Sequence, residues 1–426
     1  MKKILDKHIG FRLTVSSKSI IQILTIALPF ADMINGFLIR QKGIKGLGSG
    51  YHLLVLILLF FVWLKKGKIR INTFFIVNCV FLSFAFLSFW LNMMWGASFT
   101  SIGIERESKI ISTLALVLFF DSFLQDGVLS LSELKKILNY QTWIVGVGVF
   151  LCDFLGIYNA AYTGGHGRMG LYSNMNEISI ILAASLFFQI RTIQKRLKIN
   201  TIILVLILIT DLLLIQSKFS LGCIALFLLY VSFLFLSRIS KVVPLKNIVI
   251  VSIIIISTIG LLFLFKSQIK HIFQSFFERL IFLKNVYGGS GVSIDYLSSG
   301  RTTRFDILVV EPIKNIFSNN PIRGITIFLI GKGFTGSMID TFEMDIFDLF
   351  LFNGVIGVVA YFWVNIHYIL QIKKNKTISK CIYVYCIIAA SILVGHVWLG
   401  GVCGIYYAMF CTFAKFDNKS NNNVLL

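Results

Sequence analysis

Apolar runs of roughly 18 or more residues recur along this chain, separated by short polar stretches, and a helix needs about that length to cross a bilayer core. The runs predict helices near 19–39, 50–64, 72–91, 107–124, 141–158, 175–190, 199–216, 219–237, 247–265, 346–370, 380–396 and 398–414. That makes about twelve spans, with ends defined to within a few residues. Between the last two, only Gly395 to Gly401 can turn the chain. One segment departs from the pattern: residues 267–345 are polar and read as a single long loop containing short helices. The expected fold is therefore all-α, a polytopic transmembrane bundle forming one domain over 1–426, with 267–345 as a large extracytoplasmic loop within it.

Composition agrees with the pattern. Hydrophobic residues make up 57% of the chain, charged residues only 14%, and 41 positions are Phe; mean hydropathy is +0.84. A soluble domain does not have this usage, and a transmembrane barrel would show short alternating segments instead. The basic start, MKKILDKHIGFRLTV, is followed by an apolar run without a small-residue cleavage site, which reads as an uncleaved first helix.

Charge then orients the helices. With both termini in the cytoplasm, inner loops hold Lys65, Lys66, Lys68 and Arg70, then Arg191, Lys195, Arg196 and Lys198, and later Lys373, Lys374, Lys376 and Lys380. This follows the positive-inside rule. Arg40, Lys42 and Lys45 run against it, since they fall in an outer loop. The formal charge of +21 is accordingly a topogenic and anionic-lipid signal, not one for nucleic acid. The expected location is a bacterial inner membrane.

Several chemistries have no support in the residues. The seven cysteines lie in or beside apolar segments without a CxxC pair, and the six histidines show no HExxH or similar spacing, so no metal site is expected. Neither a Walker loop nor a strand-associated GxGxxG is present, so no nucleotide or other cofactor is expected. Charges inside the spans are few. Asp32 follows Pro29 in the first helix and Asp211 lies in the seventh, each needing a partner or water. If the helix persists, Asp211 and Lys218 share one side of it, two turns apart.

Three polar constellations remain. The fifth loop, NAAYTGGHGRMGLYSNMNE, surrounds His166 and Arg168 with glycines, which permit close backbone approach to a ligand, while Arg offers a planar fork for phosphate or carboxylate. In the long loop, Arg301 and Arg304 share a helical face beside an apolar stripe of Phe305, Leu308, Val309, Ile313 and Ile316, suited to a membrane surface. Asn319, Asn320 and Pro321 end that helix. The third group is Glu343, Asp345 and Asp348 at the entry to an apolar helix. The helix dipole alone favours acids there, yet with arginines in the same loop they could also combine a base with a phosphate clamp.

The order GRMGLYSNMNE, QSKFSLG, a long loop with SSGR, NPIRGI and GKGF, then FEMDIFDLFLFNGVIGVVAYF resembles the O-antigen polymerase and ligase superfamily of bacterial envelope glycan enzymes, most of all its Wzy-type polymerases. The likeness covers roughly residues 160–365 and lies in the order and loop placement of short motifs. It implies a metal- and nucleotide-independent glycosyltransferase that polymerises undecaprenyl-diphosphate-linked repeat units into O-antigen or capsular polysaccharide at the outer face of the inner membrane. Implied partners are that lipid-linked glycan, membrane lipids, a flippase and a chain-length regulator.

By position, Arg168, with His166 beside it, and Arg301 and Arg304 would match groups that hold the diphosphate or the growing chain. Lys218, in QSKFSLG, stands where the family often has an arginine, and it lacks the bidentate fork. Ligases usually carry a histidine near the start of the helix after the long loop; Glu343 and Asp345 stand there instead, which favours the polymerase branch with Glu343 as general base. The alternatives are an O-antigen ligase acting on lipid A core and a polysaccharide flippase or transporter, which would need a charged central cavity.

Overall fold

Side-chain caps, rather than hydropathy, set where several helices begin. Ser16 Oγ accepts from Ser19 N (3.1 Å) ahead of α1 (Ser17–Lys42), Asn72 Oδ1 accepts from Phe75 N ahead of α3 (Thr73–Met94), and Thr100 Oγ1 accepts from Gly103 N ahead of α4 (Ser101–Gln125). Ser130 and Glu133 form a reciprocal capping box at the start of α5 (Leu131–Phe154). Each cap satisfies backbone donors that an apolar surrounding could not hydrate.

The computed structural model describes residues 16–44, 47–66, 70–161, 167–195, 198–239, scattered positions between 252 and 274, 310–335, 344–374 and 381–422. Among these the chain is all-helical, with 13 helices and no strand beyond an isolated bridge between Ala160 and Arg168. The remaining helices are α2 (Leu47–Lys66), α6 (Met175–Lys195), α7 (Ile199–Ile215), α8 (Lys218–Ile239), α9 (Glu311–Asn319), α10 (Pro321–Ile330), α11 (Asp345–Lys374), α12 (Ile382–Leu393) and α13 (Gly401–Asn422). Five of them, α1, α2, α3, α5 and α11, are long and apolar enough to cross a membrane. Each expected span except 247–265, which falls mostly outside the described residues, overlaps a helix, although α5 stops short of 155–158 and 380–396 holds only the shorter α12.

Two starts differ from expectation. Hydropathy places them near 107 and 141, whereas α4 begins at Ser101 and α5 at Leu131. Charged residues near both starts, Glu105 to Glu107 in α4 and Glu133, Lys135 and Lys136 in α5, mask them, and the caps restore them. A third difference lies at the α7–α8 junction. Gln216 adopts φ +59, which ends α7 before Lys218, so Asp211 and Lys218 sit on separate helices rather than on one continuous face.

The core runs between the helices as one large apolar cluster, with Tyr361, Tyr368, Tyr383, Tyr406, Tyr407 and Trp398 fully enclosed. Many side chains on the bundle's outside are apolar as well, among them Phe61, Phe86, Trp90, Leu151 and Trp363. In water such a surface would be a liability, and in lipid it is the ordinary solvent face.

The two ends of the bundle differ in build. At one end short segments pack over the helix termini: Gly36 lies against the backbone of Leu171 and Tyr172, Thr100 N donates to Phe334 O, and Lys332 N donates to Leu351 O. Here α10 settles into a break in α11 at Gly354 (φ +60), where a Cβ would meet Leu329 backbone at 2.4 Å. At the opposite end, ion pairs tie the termini: Lys18 with Glu133, Arg70 with Asp126, and Lys415 with Asp121.

Candidate active site

The hairpin of α1 and α2 brings polar side chains together at the loop-rich end. Asn35 Oδ1 accepts from Gly48 N at 2.8 Å, and deeper in the bundle Asp32 Oδ1 meets His52 Nε2 at 2.8 Å. A carboxylate only accepts, so Nε2 carries the proton and the imidazole is held in one orientation. Asp32 is only 5% exposed, and its second oxygen has no hydrogen-bond partner.

The opposite wall comes from α4, where Ser101, Glu105, Ser108, Lys109 and Ser112 recur at helical spacing and line one face. Lys109 Nζ donates to Glu105 Oε1 at 2.5 Å. Glu107 points away, buried against α11, where it accepts from Asn353 Nδ2 at 2.6 Å. Together with Tyr172, Asn174, Glu177 and Gly400 to Val402, these residues enclose a cavity of about 730 Å³. Leu28, Val55, Leu56, Leu116 and Ile405 form its apolar wall. The size suits a small-molecule group, and a few convergent polar groups in an apolar cleft are how such sites are usually built.

Glu177 closes the cavity on the third side. Asn174 caps α6 through Asn176 N (3.0 Å), and its amide donates to Glu177 Oε1 (2.8 Å). Glu177 Oε2 accepts from Val402 N (3.0 Å) and Cys403 N (3.4 Å), so a buried carboxylate sits on the positive end of α13. Such proximity demands glycine at 400, where a Cβ would stand 2.1 Å from His396 O and 2.8 Å from the Glu177 carboxyl carbon.

The turn that delivers Gly400 is itself anchored from α11. Asp345 Oδ2 accepts from Ser391 Oγ (2.7 Å), Val397 N (3.0 Å) and Trp398 N (2.9 Å), all fully buried. Asp345 is thus committed to the 394–400 turn and does not line the cavity. Its neighbour in the expected acid pair, Glu343, lies outside the described residues, as do His166, Arg301 and Arg304.

Arg168 is partly exposed in the fifth loop. Its guanidinium donates to Asp153 Oδ1 at 2.8 Å and stacks over the Tyr158 ring at 4.8 Å. The hydrogen bond it donates to Asp153 favours its charged form further. Lys218 is exposed at the start of α8, and neither it nor Arg168 lines the cavity. Of the cavity's charged groups, Asp32 stands out in the sequence as an intramembrane acid and Glu177 closes the fifth-loop motif NAAYTGGHGRMGLYSNMNE, whereas His52, Glu105 and Lys109 carry no signal of their own. The clue was geometric: the packing of α1 against α2 places Asn35 opposite Gly48 and Asp32 opposite His52.

No disulfide joins any of the seven cysteines, and among the described residues no group of three or more His, Cys, Asp or Glu is placed to hold a metal ion. The cavity holds acid–base groups in Asp32–His52, an ammonium at Lys109 that Glu105 already pairs, and hydroxyl-binding groups in its serines, Asn174 and Tyr172, whose Oη has no partner. No protein-family model matches the chain, and no curated protein matches it.

Proposed function

We propose that this chain is a membrane glycosyltransferase that lengthens a polyprenyl-diphosphate-linked glycan, and that the cavity at its loop-rich end is where transfer occurs. One observation carries the reading: a cavity of about 730 Å³ inside an apolar bundle is lined by hydroxyls, an amide, carboxylates, an imidazole and an ammonium. Polyols are bound by such hydroxyl, amide and carboxylate groups, and a diphosphate leaving group calls for a cation. A substrate attached to lipid reaches such a cleft from the membrane itself. In this reading the bundle has about twelve spans, both termini are cytoplasmic, and the loop-rich end faces outward from a bacterial cytoplasmic membrane. The polymerase resemblance over residues 160–365 supports the same assignment and adds Arg168, Arg301 and Arg304 as outer contacts for the diphosphate or chain.

The test is reconstitution. Purified protein in liposomes is given a polyprenyl-diphosphate-linked repeat unit, and the products are resolved by length. A ladder of longer lipid-linked glycans is the expected result. Unchanged glycan length overturns the reading, and movement of unlengthened glycan across the bilayer would establish the transporter alternative, which draws on the same charged cavity. Transfer to lipid A core without elongation would establish a ligase.

A further inference from the structure

We infer that His52, oriented by Asp32, is the proton acceptor of this site, a catalytic residue supplied by the first helical hairpin. The inference rests on the glycosyltransferase reading above. Its ground is the geometry of the cavity. Ionisable groups inside an apolar bundle are costly and are kept at sites of function, and this pair is separated by 20 residues in sequence yet joined at 2.8 Å across two helices. Both side chains line the cavity.

The division of labour follows from the hydrogen bond. His52 Nε2–H is fixed on Asp32 Oδ1, which leaves Nδ1 with its lone pair, a neutral base whose conjugate acid the adjacent carboxylate stabilises. Of the other ionisable groups around it, Glu177 on α6 is bound to the start of α13, Lys109 and Glu105 on α4 are bound to each other, and Tyr172 is a hydroxyl. Asp345, the described member of the expected acid pair, is enclosed by Ser391 and the 397–398 backbone. His52 is therefore the group in the cavity best arranged to gain a proton.

The step balances. An acceptor sugar hydroxyl forms a new bond from its oxygen to the anomeric carbon of the lipid-linked sugar, and the bond from that carbon to the diphosphate oxygen breaks, its electron pair leaving with the phosphate. The hydroxyl proton passes to His52 Nδ1, giving an imidazolium paired with Asp32. The departing diphosphate gains charge near Lys109. Release of the proton to water restores the neutral imidazole.

The experiment is the liposome elongation assay run across pH with wild type, His52→Gln and Asp32→Asn. Gln keeps a donor for Asp32 and cannot take the proton, so His52→Gln is expected to slow elongation by about 10²- to 10⁴-fold and to abolish the wild-type loss of rate as pH falls and the imidazole protonates. Asp32→Asn removes the charge that favours the imidazolium, so its acidic limb shifts to lower pH while the rate falls. Wild-type elongation with a His52→Gln rate and pH profile unchanged overturns the inference and leaves the glycosyltransferase reading standing. Wild type that does not elongate removes that reading itself. Should His52→Gln fail to fold, an Asp32→Asn profile identical to wild type overturns the inference.

Discussion

The two ends of the bundle use buried charge in opposite ways. Opposite the cavity, Asp121 receives Lys415 Nζ on one oxygen and Gln125 Nε2 on the other, both at 2.5 Å, and Lys415 also lies over the Phe74 ring at 4.9 Å. Both are packed away from solvent: Asp121 is fully buried and Lys415 is 7% exposed. At the loop-rich end, Asp32, His52, Glu105, Lys109 and Glu177 surround a space large enough for a ligand, and one Asp32 oxygen is left without a partner. Charge matched to charge in a packed interior fastens helices together. Charge lining a cavity lacks that packing and is what the proposed site draws on.

The largest expected effect tests the first half of that contrast. Lys415→Met leaves Asp121 buried beside α13 without its cation, and breaking such a pair typically costs about 3–5 kcal/mol. The loss should appear as a fall in the unfolding temperature in detergent and in the yield of folded protein. Replacing both partners, Lys415→Met with Asp121→Leu, should recover most of it, because an apolar pair of similar volume avoids the desolvation penalty. A single variant as stable as wild type would mean that the pair is not a fastener, and the contrast between the ends would collapse.

How much of this was legible beforehand follows from the same physics. Long apolar runs announced the helices because lipid demands them, and Asp345 was correctly placed at the start of α11. The starts of α4 and α5 were hidden because Glu105, Arg106 and Glu107, and Glu133, Lys135 and Lys136, look like loop by hydropathy. In the structure Glu105 pairs with Lys109 four residues on, Glu107 turns inward to Asn353, and Glu133 completes a capping box. The cavity was illegible for a different reason. A lone histidine at 52 or lysine at 109 has no local signature, and the 2.8 Å contact of His52 with Asp32 exists only after two helices have packed. A turn between Gly395 and Gly401 was expected from its glycines, whereas its anchoring by Asp345 was not, since those bonds join residues 52 and 53 positions apart.

Asp211 offers an intermediate test, because it is a buried acid that belongs to neither arrangement. It is fully enclosed in α7, neither carboxylate oxygen has a hydrogen-bond partner, and it does not line the cavity. If it serves no site, Asp211→Leu removes an unsatisfied polar group and should raise stability by about 1–3 kcal/mol, read as a higher unfolding temperature. Elongation should then be unchanged. A more stable variant that no longer elongates would extend the functional region from the cavity into α7, and a less stable one would show that the carboxyl holds the helix packing.

The smallest expected effect concerns Arg168, which lies at the loop-rich end but is already occupied. Its pair with Asp153 is 44% and 18% exposed, and ion pairs so open to solvent contribute on the order of 0.2–1 kcal/mol. Asp153→Asn should therefore lower stability by no more than about that amount, with the difference shrinking as salt screens the pair. The informative readout is the KM for the lipid-linked donor. An arginine that must leave Asp153 to grip a diphosphate gives up a charge-assisted bond in the exchange. Freed from it beforehand, Arg168 should bind the donor more tightly and KM should fall with kcat nearly constant. An unchanged KM would make Arg168 a brace that ties the fifth loop to α5, on the fastening side of the contrast.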